Sequence, residues 1–403
     1  MSDSALEAAG SSLPLSPSRP LEASRTRDEA RADSAGKEHV IDAMRGFAAL
    51  LVAYFHCRQV AWVGMQAFHQ SVGHAFSLSA IAAYLTFPIA WGSAGVPIFF
   101  VISGYCIHRG GALRLAGNPA YRLDTANFWV RRFARIYPVL LAALLLTFAL
   151  DWFSLQLPPV SHKIREIGLH AFLVNLFSLQ GVAGKTYGSN GALWTLSLEV
   201  QFYAIYPLLF ALRRRIGMTP VLALVALVNV VSAYALERHD IQFFTSYWFA
   251  WTLGAWIADA RARSTAQTRS SLWLYVLAAG FIALGCAAFR FGQYGAFQLW
   301  ALGFAFYLYK ALERPSGARR ETFGMRVLSR FGDFSFSLYL IHLPIFVLLS
   351  SLLFRSSLQM SIWPSFGYML VAVPVAYVFY RLVELPAMKW SASFKPKTAR
   401  ASR

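Results

Sequence analysis

The chain has 403 residues, of which 57% are hydrophobic and 14% are charged, and it carries a formal net charge of +18. This composition excludes an ordinary soluble enzyme and predicts a polytopic membrane protein, because each membrane-spanning helix needs about 20 mostly apolar residues. The positive charge does not indicate a nucleic-acid-binding protein, since it collects in loops between the apolar stretches, as membrane topology requires.

Ten apolar stretches are long enough to cross a bilayer, so we predict an all-α polytopic membrane protein with about ten transmembrane helices. The stretches lie at approximately 41–60, 87–108, 133–151, 195–212, 219–236, 243–259, 271–288, 293–310, 333–354 and 363–385. These helices are expected to form one membrane domain over residues 41–386. Residues 1–40 have no apolar core and are predicted to be a disordered cytoplasmic tail. Residues 387–403 are predicted to be a short basic cytoplasmic tail, with no soluble domain after the last span.

The distribution of basic residues predicts the orientation of these helices. In a ten-span arrangement, most of the 37 Lys and Arg residues fall in loops on one side of the membrane. Cytoplasmic loops collect Lys and Arg, so both termini are predicted to be cytoplasmic. A basic cytoplasmic face would also meet anionic lipid head groups favourably.

The first apolar stretch contains two ionisable side chains of special interest, Arg45 and His56. Eleven steps of about 100° along an α-helix return to within roughly 20° of the starting direction, at about 1.5 Å per step. The two side chains are therefore predicted to share one face, roughly 16 Å apart along the helix axis. Because such groups are costly inside a membrane helix, we interpret the pair as functional.

Small residues and one hydroxyl mark the second apolar stretch, which includes Gly95 to Ile107. Gly95 and Gly104 let neighbouring helices approach closely, and packing alone is the favoured explanation for them. The Ser103 hydroxyl either enters a cavity or bonds its own backbone, and the sequence leaves both alternatives open.

Three arginines open the third apolar stretch, Arg131, Arg132 and Arg135. Their spacing of three and four residues places them on one helical surface. They either anchor the helix at the cytoplasmic face or bind phosphates, which suit the planar guanidinium fork. The spacing alone favours neither interpretation.

The fourth apolar stretch is entered from the external side through a polar segment, Trp194–Pro207. Glu199 and Tyr203 are four residues apart and share a face, and Ser197 and Gln201 form a second pair with the same spacing. A carboxylate at this depth must be paired, protonated or in contact with water. A structural ion pair is the alternative, but no basic residue lies within one turn on the same helix, so a functional role is favoured.

Two further groups of ionisable residues lie near the end of the chain. His342 is predicted near mid-bilayer in the ninth stretch, where a hydrogen-bonded packing role is favoured from its position alone. Arg381 and Glu384 are three residues apart near the end of the last stretch and are expected to pair with each other.

Taken in order, these motifs resemble the membrane-bound acyltransferase 3 family. The first is similar to its Arg-x10-His signature, the second to G-x-x-x-F-F-x-x-S-G and the third to R-R-x-x-R-I-x-P. In the fourth, Thr195 stands where serine is commoner in the family pattern. The segments that carry the resemblance are Arg45–His56, Gly95–Gly104, Arg131–Pro138, Trp194–Pro207, Ser335–Pro344 and Glu384–Pro386.

The resemblance implies an integral protein of the bacterial inner membrane that transfers an acyl group, usually acetyl, from cytoplasmic acyl-CoA. The implied acceptor is an extracytoplasmic sugar hydroxyl in an envelope or exported polysaccharide or glycolipid. The expected partners are acyl-CoA, a carbohydrate or lipid-linked glycan and membrane lipids, without nucleic acid. The implied enzyme is of the stand-alone type, without a C-terminal hydrolase-like domain. Acetyl-CoA would be a donor substrate, and no tightly bound cofactor or metal is expected. The sequence sets no oligomeric state.

The topology and motifs together suggest roles for the candidate residues. His56 is expected to receive the acyl group or to deprotonate the acceptor, and the sequence does not separate these routes. Arg45 is expected to bind the pantetheine, a phosphate or the thioester oxygen. Glu199 is expected to orient the imidazolium or to act as a base. The arginines of the third stretch are expected to neutralise the phosphates of CoA. Predicted substrate contacts are Trp194, Ser197, Gln201, Tyr203, Ser103 and His342.

Two other classes of membrane protein remain alternatives from the sequence. A secondary transporter of a glycolipid or small anion would use Arg45, His56 and Glu199 as a relay and consume no acyl-CoA. A glycan polymerase or ligase would use a lipid-linked sugar and no thioester.

Overall fold

The computed structural model describes residues 19–72, 77–263, 271–313 and 322–394, with side chains described from His39 onward. Within these ranges the chain is helical and contains no β-strand. The predicted all-α class is therefore confirmed. Short 3-10 turns and one π-helical segment, Tyr380–Glu384, lie between or next to the longer helices.

Fifteen α-helices, numbered in chain order, form the described part of the chain. They are α1 Arg19–Ala61, α2 Met65–Val72, α3 Leu78–Leu85, α4 Gly95–Gly117, α5 Thr125–Leu155, α6 Leu169–Leu176, α7 Leu193–Ile216, α8 Met218–Leu236, α9 Trp248–Arg263, α10 Trp273–Ala288, α11 Gln293–Ala311, α12 Phe323–Asp333, α13 Ser335–Phe354, α14 Trp363–Phe379 and α15 Leu385–Ser393.

Eight helical segments of the described ranges are long and apolar enough to cross a membrane. They are His39–Ala61, Leu78–Gly117, Thr125–Leu155, Leu193–Ile216, Met218–His239, Trp273–Phe291, Ser335–Phe354 and Trp363–Ser393. The two other predicted stretches are also helical, as α9 and α11. However, α9 has only 16 residues, and α11 includes Gln293, Gln298 and Lys310.

The predicted tails fall only partly on described residues. Helix α1 runs back to Arg19, so residues 19–40 are helical where a disordered tail was expected. This segment is rich in Ala, Arg and Glu, which are good helix formers. The first part of the predicted basic tail belongs to α15. Residues 1–18 and 395–403 lie outside the described residues.

Glycines set the closest helix crossings in the membrane domain. A Cβ on Gly104 would lie 1.8 Å from the Trp251 carbonyl oxygen, and one on Gly254 would lie 1.8 Å from the Val101 carbonyl oxygen. Helices α4 and α9 therefore touch backbone to backbone. A Cβ on Gly95 would lie 2.7 Å from the carbonyl oxygen of a residue in α1. The predicted packing role of Gly95 and Gly104 is confirmed.

Among the eight long apolar segments, the one that contains α13 is the most buried inside the protein and the one that contains α10 is the least buried. In α13, 72% of the most apolar 18-residue window is buried inside the protein, against 11% for α10. An apolar helix with so little internal burial has a surface suited to lipid, whereas α13 is surrounded by its neighbours. Helix α13 therefore forms the centre of the membrane domain, and it carries His342.

Candidate active site

A cavity of about 480 Å³ lies among α1, α4, α5, α7 and α13. It lies beside the N-terminal parts of α5 and α13 and the N-terminal half and middle of α4, and it reaches the surface at the exposed Asp333. We call this space the arginine cavity. Its ionisable lining residues are Asp42, Arg45, Cys106, Arg132, Arg135, Glu199, Tyr203, Asp333, Tyr339, Tyr380 and Glu384.

Arg45 projects into the arginine cavity from α1. Its NH1 donates to Asp42 Oδ1 at 3.1 Å, and its NH2 lies 3.2 Å from Cys106 Sγ. The Arg45 side chain is still 30% exposed. A guanidinium has five N–H donors, so these contacts leave donors for a ligand in the cavity.

The three arginines of α5 do not act as one group. Arg132 and Arg135 line the cavity, whereas Arg131 is exposed and lies outside it. The Arg131 carbonyl accepts a hydrogen bond of 2.6 Å from Ser391 Oγ, which ties α5 to α15. The Arg132 guanidinium carbon lies 6.0 Å from the centre of the Tyr203 ring. The structure thus divides the predicted phosphate site into two cavity residues and one residue outside.

Glu199 lies in the same cavity, where hydroxyl groups from two helices meet its carboxylate. Ser103 Oγ on α4 donates to Glu199 Oε1 at 2.9 Å, and the Tyr203 hydroxyl donates to the same oxygen. Trp251 Nε1 donates to Ser103 Oγ at 3.3 Å. Of the two alternatives for Ser103, the structure therefore has the hydroxyl in a cavity. Glu199 faces the arginines of the cavity rather than His56.

His56 and His342 form a hydrogen-bonded pair between α1 and α13. His56 Nδ1 lies 2.8 Å from His342 Nε2, with the two ring planes within 7° of each other. His342 is fully buried, and its Nδ1 lies 2.9 Å from the Leu338 carbonyl oxygen. His56 is only partly buried and is close enough to Lys163 for an electrostatic interaction. The hydrogen bond predicted for His342 is present, and its unpredicted partner is His56.

Tyr339 separates the arginine cavity from the histidine pair. Its ring lines the cavity and packs edge-on against His342, with ring centres 5.9 Å apart. Its hydroxyl is hydrogen-bonded to Thr195 Oγ1 at 2.7 Å. Neither histidine is among the residues that line the cavity. Tyr339 therefore belongs to the lining of the cavity and also contacts the buried member of the histidine pair.

The segment before α7 supports α13 beside the histidine pair. Pro344 has no N–H to donate to the Leu340 carbonyl four residues earlier. Asn190 Nδ2 donates to this carbonyl at 2.7 Å and so replaces the missing helical bond. The sequence interpretation missed Asn190, although a proline four residues after Leu340 indicates a carbonyl that needs another donor.

The same segment is anchored by a buried carboxylate on α5. Asp151 accepts hydrogen bonds from the backbone N–H and the hydroxyl of Ser189, at 2.7 and 2.6 Å. Gly188 precedes this contact with φ of 53°, and a Cβ there would lie 2.1 Å from Asp151 Oδ2. Only glycine allows the chain to pass so close, so Asp151 and Gly188 together fix the loop that presents Asn190.

Three predicted substrate contacts lie away from the arginine cavity and hold neighbouring segments. Ser197 is fully buried and donates to the Trp194 carbonyl at 2.9 Å. Gln201 Oε1 accepts from the Phe244 N–H at 3.2 Å. The Trp194 ring packs against Tyr247, with ring centres 5.5 Å apart. None of the three predicted contacts lines the cavity.

The expected Arg381–Glu384 pair is wrong. Glu384 is 2% exposed, and its Oε2 accepts from the backbone N–H and the hydroxyl of Ser337, at 3.1 and 2.5 Å. Ser337 lies in the first turn of α13, where free N–H groups and the helix dipole favour a carboxylate. Arg381 is exposed and donates to the Tyr377 hydroxyl at 3.1 Å.

The described ranges contain no group of three or more His, Cys, Asp or Glu side chains arranged to hold a metal ion. The arginine cavity can bind an anionic ligand, and the histidine pair next to it can accept a proton or an acyl group.

Comparison with known proteins identifies relatives of this chain. It is 32% identical to YrhL of Bacillus subtilis over 168 residues, which is 38% of this chain and 26% of YrhL. It is 25% identical to the acyltransferase MdmB of Streptomyces mycarofaciens over 74% of this chain and 76% of MdmB. It is 22% identical to the peptidoglycan O-acetyltransferase OatA of Listeria monocytogenes, over 77% of this chain.

The chain spans about half the length of OatA, since the match covers 54% of that protein. No solved structure matched the chain. The family model described as the acyltransferase domain, Acyl_transf_3, matches residues 38–381, which include the histidine pair and the lining of the arginine cavity except Glu384 and Met388. The chain therefore belongs to the acyltransferase 3 family.

Proposed function

We propose that this protein is a membrane-bound O-acyltransferase that moves an acetyl group from cytoplasmic acetyl-CoA to a carbohydrate hydroxyl beyond the bilayer. The observation that carries the proposal is the position of the arginine cavity next to the histidine pair. The cavity suits an anionic donor, and the pair provides an imidazole that can accept either an acyl group or a proton. The family supports acyl transfer as the reaction.

The proposed topology has ten spans with both termini in the cytoplasm of a bacterial cell, in the inner membrane. Helices α9 and α11 would add two spans to the eight long apolar segments and bring the total to ten. The backbone contact between α4 and α9 supports α9 as part of the bundle. The cavity mouth at Asp333 lies at the C-terminal end of α12, which carries the exposed Arg326 and Arg330. A basic surface is typical of the cytoplasmic side, so this mouth faces the donor.

The donor enters the arginine cavity from that mouth. Arg45, Arg132 and Arg135 contribute the positive charge that phosphate or the polarised thioester oxygen would meet. A volume of about 480 Å³ is in the range of small-molecule sites, so it suits the acyl-pantetheine arm while the nucleotide stays near the mouth. The carboxylate of Glu199 is held by Ser103 and Tyr203 and faces this arm.

Transfer then requires the Tyr339 ring to move aside. In the covalent route, the free nitrogen of His56 attacks the acyl carbon, the carbon–sulfur bond breaks and a positively charged acyl-imidazolium forms. CoA leaves as a thiolate that takes up a proton from water. The acceptor hydroxyl next attacks the acyl-imidazolium, the carbon–nitrogen bond breaks and the hydroxyl proton passes to the released imidazole, which returns it to water. In the direct route, His56 instead removes the hydroxyl proton while the oxygen attacks the thioester carbon. The carbon–sulfur bond breaks, and the imidazolium passes the proton to the leaving CoA thiolate.

The acceptor class is proposed from the relatives. OatA is named a peptidoglycan O-acetyltransferase, so a polysaccharide or glycolipid of the envelope, or one destined for export, is the proposed acceptor. His56 is partly exposed and close to Lys163 of the segment between α5 and α6, which supports approach of the acceptor from that side.

The test uses the purified full-length protein in lipid nanodiscs with acetyl-CoA labelled in the acetyl group. We expect release of free CoA that depends on an envelope glycan acceptor, with the label recovered as an ester on the glycan. Label trapped on the protein, and lost in His56→Ala, would select the covalent route. A transporter would move glycolipid or anion across proteoliposomes without releasing CoA, and that result would overturn the proposal.

A further inference from the structure

The hydrogen bonds around the histidine pair determine which nitrogen of each ring carries a proton. A carbonyl oxygen can only accept, so His342 Nδ1, at 2.9 Å from the Leu338 carbonyl, must carry the hydrogen. A neutral imidazole has one N–H, which leaves a lone pair on His342 Nε2. This nitrogen lies 2.8 Å from His56 Nδ1. In the neutral pair, His56 Nδ1 is therefore the donor and His56 Nε2 carries the free lone pair.

We propose that His342 is a positioning residue that fixes the tautomer of His56, so that the reactive lone pair of His56 is always on Nε2. The inference deepens the proposed function and rests on it for the chemical role of His56. The directed chain runs from His56 Nδ1–H to His342 Nε2, and from His342 Nδ1–H to the Leu338 carbonyl. This chain of hydrogen bonds gives His342 a role other than substrate binding. A direct substrate contact is not expected, because the His342 ring is fully buried and packs against Tyr339.

The surroundings hold His342 in the orientation that this role requires. Its ring packs edge-on between Tyr339 and Phe346, with ring centres 5.9 and 5.7 Å away. The backbone carbonyl of Leu338, one turn earlier on the same helix, fixes the Nδ1 end. When one nitrogen of a histidine ring is held in a hydrogen bond, the position of the ring proton is fixed, and so is the nitrogen that remains free for chemistry.

The orientation also has a chemical consequence for the proposed reaction. When His56 Nε2 takes up a proton or an acyl group, the ring becomes positively charged. Its Nδ1–H bond to the His342 lone pair is then a charge-assisted hydrogen bond, which is roughly twice as strong as a neutral one. His342 thus aligns the ring before the reaction and stabilises the charge that forms on it.

Two substitutions of His342 separate this role from a purely structural one. In His342→Gln, the amide reaches the position of Nε2 and its oxygen can accept from His56 Nδ1–H. In His342→Asn, the shorter amide reaches the position of Nδ1, so the bond to Leu338 is kept and the acceptor for His56 is lost. Both variants keep an uncharged polar side chain at a buried position, and each serves as the matched control for the other.

The experiment measures the tautomer directly by solid-state NMR on the full-length protein, labelled with 15N-histidine and reconstituted in lipid. We expect a pyrrole-type Nδ1 and a pyridine-type Nε2 for His56, assigned by their loss in His56→Gln. The coupling across the hydrogen bond to the pyridine-type Nε2 of His342 identifies the same signals without a variant. A protonated Nε2 on His56 in the neutral pair would overturn the inference.

The activity of the two variants tests the consequence for catalysis. We expect His342→Asn to lower kcat for acetyl transfer by about 10²- to 10⁴-fold, as expected when a general base is lost. His342→Gln should retain most of kcat, and KM for acetyl-CoA should change little in both. Equal kcat values in the two variants, or greater loss in His342→Gln, would contradict the positioning role.

The NMR result and the transfer assay together distinguish failure of the positioning role of His342 from failure of the proposed acyltransferase function. The expected tautomer in a protein that releases no CoA would contradict the proposed function and leave the assigned proton positions intact. Acceptor-dependent acetyl transfer by a protein with Nε2-protonated His56 would contradict the positioning role and leave the proposed function intact.

Discussion

The arginine cavity and the histidine pair are neighbours with opposite physical properties. The cavity contains several charged side chains and reaches the surface at Asp333, whereas the pair consists of two imidazoles, with His342 fully buried. The cavity can bind an anion but contains no histidine. The pair offers an imidazole but has no arginine hydrogen-bonded to it in the described chain. In the proposed function, donor binding and group transfer would take place in these two neighbouring regions, with Tyr339 in contact with both.

The largest expected effect comes from removing the reactive imidazole. We predict that His56→Ala lowers acetyl transfer by at least roughly 10²- to 10⁴-fold, because either chemical role of His56 would be lost. Binding of acetyl-CoA should change little, since His56 does not line the cavity. Transfer is measured with labelled acetyl-CoA, and binding by equilibrium dialysis. Near-normal transfer in His56→Ala would remove the pair from the chemistry. The exposed His239 provides the control, as His239→Ala should be fully active.

The next effect should come from Arg45, the cavity arginine on α1. We predict that Arg45→Lys raises KM for acetyl-CoA or lowers kcat by roughly 10- to 100-fold, because lysine cannot make the planar paired contacts of a guanidinium. Its charge is retained, so insertion of α1 into the membrane should be normal. Wild-type kinetics in this variant would mean that Arg45 serves only as a basic anchor and would remove it from the donor site.

Substitutions of two arginines that are adjacent in the sequence test where the donor-binding part of the cavity ends. We predict that Arg132→Ala raises KM for acetyl-CoA by about tenfold, which corresponds to about 1.4 kcal/mol of binding free energy. Arg131→Ala should change KM less than twofold, because Arg131 is exposed outside the cavity. Both substitutions remove one charge from the same turn of α5. Equal changes in KM would show that general surface charge, rather than the cavity, attracts the donor.

The sequence predicts the helices well because hydropathy is a local property of the chain. All ten apolar stretches are helical, and Gly104 lies at a close helix crossing as predicted. The number of spans is less well predicted, since α9 is helical but has only 16 residues. Whether a short apolar helix crosses the bilayer depends on its neighbours, which hydropathy does not report.

The site was predictable in its residue types and less so in its pairings. The position of Arg45 and Glu199 in one cavity depends on contacts between different helices. The bond between His56 and His342 joins residues 286 positions apart, which spacing along one helix cannot reveal. For Glu384, the sequence suggested Arg381, three residues away, as the partner. In the structure the Glu384 carboxylate instead accepts from a free N–H group at the start of α13.

The smallest expected effect concerns the barrier between the two regions. Thr195→Val keeps the shape of the side chain and removes its hydrogen bond to the Tyr339 hydroxyl. A buried hydrogen bond of this kind contributes about 0.5–1.5 kcal/mol, so the Tyr339 ring should move aside roughly 2- to 12-fold more often. We predict that hydrolysis of acetyl-CoA without acceptor rises by the same factor, as measured by release of free CoA.

Tyr339→Phe removes the same hydrogen bond from the other side and provides the matched test. It should raise acceptor-independent hydrolysis by a similar factor, and the double variant should show no further increase, because only one bond is lost in all three proteins. Independent, multiplying effects would mean that the two hydroxyls act separately. In that case the Thr195–Tyr339 bond is not what keeps the cavity apart from the histidine pair, and packing against Phe99, whose ring centre lies 5.6 Å from that of Tyr339, would have to do so.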